Sequence, residues 1–245
     1  MGGQRAVVRA DRLLEEVARA SKPLSLSEIA RSVDAPVSST SDLLDDLVSC
    51  GYLVRSDSRY RLGPRLMTLR LIAAHADAPP IDSDGLAALA EYTGLPVALA
   101  VLVGSDVVYL GSVGEVSEYA EAVVGEYRPR PLLRTAAGRA FLAFADDGER
   151  DRLLAIHAGP ADAVGFRREV AGIRRRGHAI SDGLADPEIR AAGVPVFERG
   201  LLVGVVVVAV PDEEANFFAK PPIEFCDIRC FSDSTRLSPP ASRRA

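Results

Sequence analysis

Apolar residues recur at helical spacing three times in the first fifty residues, and a polar turn follows each run. The first run predicts a helix over residues 6–18. The segment Ser25-Leu26-Ser27-Glu28 has the form of a capping box, with a hydroxyl three residues before a carboxylate, and predicts the start of a short second helix. A third helix is expected over residues 37–50, with Gly51 just beyond its last turn.

Two short strand-like runs follow the third helix. Residues 52–55 and 59–62 predict strands around a tight turn at residues 56–58, and both strands contain arginine. Three helices followed by a basic hairpin are typical of a winged helix-turn-helix, so we predict such a DNA-binding domain over residues 1–62. A linker helix and hinge are expected over residues 63–80. Its apolar side chains either face a partner chain or pack on their own domain: Leu66, Leu69, Ile72 and Ala73.

The remaining pattern predicts strands at both ends of a second domain and helices between them. A helix is expected over 86–94, strands over 96–103 and 107–113, helices over 136–146, 148–157 and 166–177, and strands over 178–181, 189–197 and 201–210. A less regular strand is expected through Tyr119, Val123 and Tyr127. This order indicates an α+β domain with a mostly antiparallel sheet over residues 81–221. Residues 222–245 are expected to form an atypical, partly disordered tail.

The net charge of −5 is distributed unevenly along the 245 residues. Residues 1–75 contain 11 basic and 9 acidic side chains, a net charge of +2, whereas the other residues sum to −7. The N-terminal segment is therefore the expected binder of a polyanion, although +2 is weak for a DNA-binding module. The longest apolar run, residues 201–210, is about half of a membrane span. With three cysteines in no framework spacing, we expect a cytoplasmic protein that does not bind membranes.

Signals for catalysis and for metal binding are weak. No nucleophile elbow, phosphate-binding loop or dinucleotide fingerprint occurs in the sequence. The three histidines are scattered, and Cys226 and Cys230 share a helical spacing without nearby partner ligands. The arginine run at 174–176 is typical of a solvated last helical turn. We therefore expect no enzymatic activity, no metal site and no cofactor.

The segments LSLSEIARSVDAP and LLDDLVSCGYLVRSDSRYRLGPRLMTL resemble the DNA-binding domain of IclR-type transcriptional regulators. The side chains expected to contact bases are Ser38, Ser39, Ser41 and Asp42. Those expected to contact phosphates are Arg31, Arg55, Arg59 and Arg61. The sequence departs from the family at Val37 and Asp42, where relatives usually have lysine and arginine. Carboxylates repel phosphates, but an aspartate can also accept a hydrogen bond from a cytosine amino group.

Two further segments resemble the GAF-like effector domain of the same family. Residues 130–140, RPLLRTAAGRA, are similar to its PLHATAAGKA signature, and residues 173–182, IRRRGHAISD, are similar to its IRARGYAVSD signature. Thr135 is expected to cap a helix whose first amides favour an anion, at Ala136, Ala137 and Gly138. The resemblance also implies a pocket lined by Ser181, Asp182 and Ala191. The open alternative is that the small residues only allow close packing of helix and sheet.

These expectations lead to one leading hypothesis and one alternative. The chain is expected to be a transcriptional regulator that binds a double-stranded operator as a homodimer or a tetramer, under the control of a small effector, an organic acid. The alternative is a small-molecule sensor that has lost sequence-specific DNA binding and acts through protein contacts, which the acidic third helix would favour.

Overall fold

The computed structural model describes residues 2–74, 81, 83–114, 124–187, 189–198 and 200–211. The chain divides into two compact units, Met1–Pro79 and Pro80–Ala245. Each unit has its own hydrophobic core, as expected for separate domains.

The first unit is a small helical domain with a short antiparallel sheet. Its elements are α1 (Gly2–Arg19), β1 (Leu24–Ser25), α2 (Leu26–Ser32), α3 (Val37–Ser49), β2 (Leu53–Ser56), β3 (Arg59–Leu62) and α4 (Arg65–Ala74). The strands pair in the order β1-β3-β2. Apolar positions of α1, α2, α3 and the hairpin form the core: Leu13, Val17, Ile29, Leu44, Leu47, Leu53 and Tyr60. The periodicity of the sequence therefore predicted these helices correctly.

Local signals in the first unit also behave as predicted. Ser25 caps α2 and forms a reciprocal capping box with Glu28. Gly51 follows α3 with a φ of 79°, the left-handed conformation that glycine adopts easily. The hairpin turns at Asp57 and Ser58, whose φ values are 48° and 61°. Two consecutive positive φ values match the twist of the flanking strands, so the wing is a tight two-residue hairpin.

The second unit is built on an antiparallel sheet in the order β5-β4-β8-β7-β6. Its elements are α5 (Ser83–Thr93), β4 (Val97–Val103), β5 (Asp106–Val113), α6 (Ala136–Phe144), α7 (Asp147–His157), α8 (Pro160–Arg176), β6 (Ala179–Asp182), β7 (Ile189–Glu198) and β8 (Leu201–Pro211). Alternate strand residues enter two apolar clusters, one with α6, α7 and α8 and the other with α5. Helices therefore cover both faces of the sheet, and the predicted α+β class is confirmed.

The structure differs from the sequence-based expectations at two places in the second unit. Helix α8 begins at Pro160, six residues before the predicted start at 166, because Gly159 is its N-cap and proline is favoured in the first turn. Tyr127 lies in a turn with a φ of 49°, so the strand expected there is wrong at this residue. Tyr119, Val123 and the predicted tail at 222–245 lie outside the described residues.

Candidate DNA interface and effector site

The outer face of α3 presents hydroxyls and carboxylates, and the helix contains no lysine or arginine. Of the predicted base-reading residues, Ser38 and Asp42 are exposed whereas Ser39 and Ser41 are half-buried. Ser39 Oγ accepts a hydrogen bond of 3.0 Å from Nη2 of Arg9 on α1. It also donates to the Pro36 carbonyl at 3.2 Å. The α3 surface is therefore neutral to acidic, and one of its hydroxyls is already engaged within the domain.

Arg59, a predicted phosphate contact on β3, is bound to its own domain. Its Nη1 donates to the Pro23 carbonyl at 2.9 Å and lies 3.2 Å from Oε2 of Glu28. Hydrogen bonds from the backbone N–H and the hydroxyl of Ser25, with a smaller contribution from the charge of Arg59, lower the pKa of Glu28. The Glu28 carboxylate therefore takes part in the capping box of α2 and also binds Arg59 on β3.

The other predicted phosphate contacts are more accessible. Nη1 of Arg55 lies 3.8 Å from Oδ1 of Asp45, and its guanidinium carbon lies 5.7 Å from the centroid of the Tyr60 ring. Arg31, in the last turn of α2, and Arg61, on β3, are exposed. Exposed ion pairs contribute about 0–1 kcal/mol, so the Arg55 pair can exchange its carboxylate for another anion.

The candidate effector site begins at the N-terminus of α6. Thr135 has extended backbone angles, and its Oγ1 accepts a hydrogen bond of 3.1 Å from the N–H of Gly138. The same hydroxyl donates to the Pro131 carbonyl at 3.0 Å. Among the described residues, no acceptor is recorded for the N–H groups of Ala136 and Ala137, whose residues are 1% and 0% exposed. Buried amides without a partner are rare, so these two N–H groups are candidate donors to a ligand.

Small residues also allow α6 to lie very close to neighbouring backbone. A Cβ on Gly138 would lie 2.0 Å from the carbonyl oxygen of Leu132. A Cβ on Gly193 of β7 would lie 2.7 Å from the carbonyl oxygen of Ala136. Packing alone therefore explains both glycines. It does not explain the amides of Ala136 and Ala137, for which the described part of the chain shows no acceptor.

Strands β6 and β7 bring two more predicted residues to the same place. Ser181, which is 4% exposed, donates its hydroxyl to the Arg134 carbonyl at 2.7 Å. Ala191 is its register partner on β7. Asp182 is exposed, and its Oδ1 lies 2.8 Å from Nε of Arg190. Because successive strand residues point to opposite faces of a sheet, Asp182 points away from the face that carries Ser181. Ser181 and Ala191 therefore lie beside the start of α6, and Asp182 belongs to the other face.

The loop after β6 is tied to the segment that precedes α6. Nε of Arg134 donates to the Leu184 carbonyl at 2.6 Å, and the Gly183 N–H donates to the Ile189 carbonyl at 3.2 Å. Residue 134 therefore contacts both β6 and the loop beyond it. This connects two walls of the candidate effector site.

Neither a metal-ligand cluster nor a membrane-spanning helix occurs among the described residues. They contain no group of three or more His, Cys, Asp or Glu side chains placed to hold a metal ion. No described helix has the length and apolar character needed to span a bilayer. Cys226, Cys230 and His75 lie outside the described residues.

Two family models together match most of the chain. The model described as IclR helix-turn-helix domain matches residues 6–57, and the one described as bacterial transcriptional regulator IclR C-terminal matches residues 80–216. The chain belongs to the IclR family of transcriptional regulators. Its relatives include "Probable transcriptional regulator SauR" of Cupriavidus necator, which is 30% identical over 209 residues, covering 84% of this chain and 79% of that protein.

Solved structures of IclR proteins share the fold of this chain. An IclR family regulator from Brucella abortus is similar with a TM-score of 0.65 and 20% identity, covering 93% of this chain and 90% of that one. An IclR homologue from Microbacterium hydrocarbonoxydans, solved in complex with 4-hydroxybenzoate, has a TM-score of 0.63 and 21% identity, covering 93% and 95%. The predicted family and fold class are thus confirmed. The chain is a transcriptional regulator with a helix-turn-helix DNA-binding domain, and the alternative of a sensor without DNA binding is not favoured.

Within this IclR protein, the predicted site residues fall into two groups by location. The DNA-contact set lies on α2, α3 and the wing, and the effector set lies on α6, β6 and β7. The contact of Arg9 with α3 could not be predicted, because its sequence position does not show which turn of α3 it reaches. The hydrogen bond from Arg134 to Leu184 could not be predicted either, because it depends on the position of the β6–β7 loop.

Proposed function

We propose that this IclR-family chain is a homodimer, able to pair into a tetramer, whose operator binding is controlled by an organic acid bound at the start of α6. It acts by binding alone, without a cofactor and without catalysis, in the cytoplasm where its DNA target lies. The carrying observation is the pair of buried amides at Ala136 and Ala137 that have no recorded acceptor among the described residues.

The chemistry of these amides favours an anionic ligand. The N-terminus of a helix has a partial positive charge, and its free N–H groups point toward a bound anion. Thr135 keeps the helix start in place, and Ser181 and Ala191 form an adjacent wall. The fold neighbour from Microbacterium hydrocarbonoxydans was solved with 4-hydroxybenzoate, an aromatic acid. An acid with an aromatic or aliphatic body is the corresponding ligand class here, since such pockets are mostly apolar.

A thermal-shift screen of organic acids, with 4-hydroxybenzoate as the first probe, tests the site. An acid at one hundred times its dissociation constant adds about 2.7 kcal/mol of stability, which raises the melting temperature by about 5–10 °C in a chain of this size. Ala136→Pro removes one amide at the first helical position, where proline is favoured and where the preceding Thr135 is already extended. We expect it to weaken acid binding about tenfold or more.

Ala136→Gly keeps the amide and is the matched control. The melting temperature of each variant without ligand shows whether the substitution itself disturbs the fold. If an acid binds Ala136→Pro and Ala136→Gly equally tightly, the ligand does not use this amide and the site assignment is wrong.

DNA binding is expected to use the hydroxyls and Asp42 of α3 for bases and the exposed arginines for phosphates. Arg61 is the better test of phosphate contact, because Arg59 already binds Glu28 and the Pro23 carbonyl. In a gel shift with DNA from upstream of its own gene, Arg61→Ala should reduce the slope of log affinity against log salt by about 0.9. Wild-type protein that binds no DNA even at low ionic strength would contradict the regulator proposal.

Dimer formation is expected to use helix α4. Its ten residues expose several large apolar side chains: Leu66, Met67, Leu69, Leu71 and Ile72. Such a concentration of exposed apolar residues on one helix is typical of a protein–protein contact, and operator-binding helix-turn-helix proteins commonly use two-fold symmetry. Sedimentation at micromolar concentration should show a dimer for wild type and for Thr68→Glu, and more monomer for Leu69→Glu. A wild-type monomer would refute this assembly.

A further inference from the structure

Arg9 on α1 contacts the first turns of α3 although thirty residues separate it from Ser39. Its Nη2 donates a hydrogen bond of 3.0 Å to Ser39 Oγ, and the contact is partly buried. The Ser39 hydroxyl in turn donates a hydrogen bond of 3.2 Å to the Pro36 carbonyl. The Arg9 side chain is therefore held at the end of α3 from which Ser38 and Asp42 project.

The charge of Arg9 differs from those of Arg55 and Arg59 on the wing in one respect. Arg55 lies beside the carboxylate of Asp45 and Arg59 beside that of Glu28. The partner recorded for Arg9 among the described residues is a neutral hydroxyl. Helix α3 itself contains no basic residue. Arg9 thus places a positive charge, with no carboxylate recorded beside it in the part of the chain that the structure describes, next to a helix that has no basic residue of its own.

We propose that Arg9 is a DNA-contacting residue that binds a backbone phosphate beside α3 while its hydrogen bond to Ser39 positions that helix. A guanidinium has five N–H donors, so one bond to Ser39 leaves enough donors for bidentate contact with a phosphate. This inference rests on the proposed operator binding. It also gives Ser39 a new role: its hydroxyl anchors Arg9, and Ser38, Ser41 and Asp42 remain to contact bases.

The consequence for specificity follows from the two kinds of contact. Phosphate contacts fix the register of a protein on the duplex and contribute to all sequences alike, whereas base contacts discriminate between sequences. Loss of Arg9 should therefore weaken specific and non-specific complexes by similar factors. Loss of a base-reading residue such as Ser38 should weaken only the specific complex.

The experiment measures binding of full-length protein to its own upstream DNA and to an unrelated duplex, by fluorescence anisotropy over a series of salt concentrations. Arg9→Ala should weaken both complexes about tenfold and reduce the salt slope by about 0.9. Arg12→Ala is the matched control, because Arg12 is exposed on the same helix and its substitution removes the same charge. We expect it to change affinity less than about twofold and to leave the slope unchanged.

Two further variants separate the phosphate contact from a purely structural role. Arg9→Lys keeps the charge and should retain the wild-type salt slope with intermediate affinity, whereas Ser39→Ala should weaken binding about threefold with the slope unchanged. If Arg9→Ala and Arg12→Ala lower the affinity equally, or if Arg9→Ala keeps the wild-type salt slope, the inference about Arg9 is wrong. The proposed operator binding would not be affected by that result. Absence of any wild-type binding would overturn both.

Discussion

The substitution Gly138→Ala tests how closely α6 lies against the chain that precedes it. The new Cβ would lie 2.0 Å from the Leu132 carbonyl oxygen and 2.6 Å from its carbonyl carbon, whereas ordinary contacts between carbon atoms are about 3.5–4.0 Å. The obstacle is backbone and cannot rotate away, so the helix or the segment at 132 must move. Overpacking of this kind costs about 1–3 kcal/mol, and we expect the upper part of that range.

Gly165→Ala is the matched control because it makes the same change in a helix with open space. Beyond its own helix turn, no atom of the described residues lies within 4 Å of the position of its Cβ on α8, so only the helix propensity changes, by about 1 kcal/mol in favour of alanine. The two variants should therefore shift stability in opposite directions. At about 2–4 °C per kcal/mol for a chain of this size, Gly138→Ala should melt about 4–12 °C lower and Gly165→Ala about 2–4 °C higher.

Thermal unfolding followed by circular dichroism, repeated in urea, gives both differences in the same full-length chain. The outcome tests one of the two explanations left open for the small residues at the start of α6. One explanation is that they allow close packing of helix and sheet, and the other is that they allow a ligand to approach the backbone. If Gly138→Ala proves as stable as Gly165→Ala, the backbone at 132 does not lie against α6, and the packing explanation of Gly138 is wrong.

Three other substitutions have expected outcomes. Thr135→Ala removes the side-chain cap on the Gly138 N–H and should lower the unfolding free energy by about 1 kcal/mol in urea titrations, with Thr135→Ser close to wild type. Leu44→Ala should destabilise the first unit by about 2–5 kcal/mol, because Leu44 is 0% exposed; limited proteolysis should then cut that unit first. Glu28→Gln should lower the melting temperature at neutral pH but not in acid. The pKa of Glu28 is lowered in the fold, chiefly by the Ser25 backbone N–H, so its contribution is complete above the unfolded pKa and is lost as pH falls through the folded one; a difference that persisted in acid would refute this.

Much of the local structure could be predicted because its causes lie close together in the chain. The capping box joins Ser25 to Glu28, and Thr135 caps the N–H of Gly138, each over three residues. Such contacts depend on residue type and spacing alone. The start of α8 was missed although its cause is also local: Gly159 is the N-cap, Pro160 opens the helix, and the buried Ala163 lies three residues before Phe166, but the helix was predicted only from residue 166.

The amino-acid sequence by itself determined most of the helices and strands, their order, and the likeness to IclR regulators through short motifs. Only the tertiary structure decided which distant groups meet. Arg9 reaches Ser39 across 30 positions, Arg59 reaches Glu28 across 31, and the Ser181 hydroxyl reaches the carbonyl of residue 134 across 47. Hydrophobic periodicity specifies which face of an element is buried, but not the register in which two faces pack. That register determines which group each of these arginines contacts. It therefore also determines whether the charge of the arginine is available to DNA.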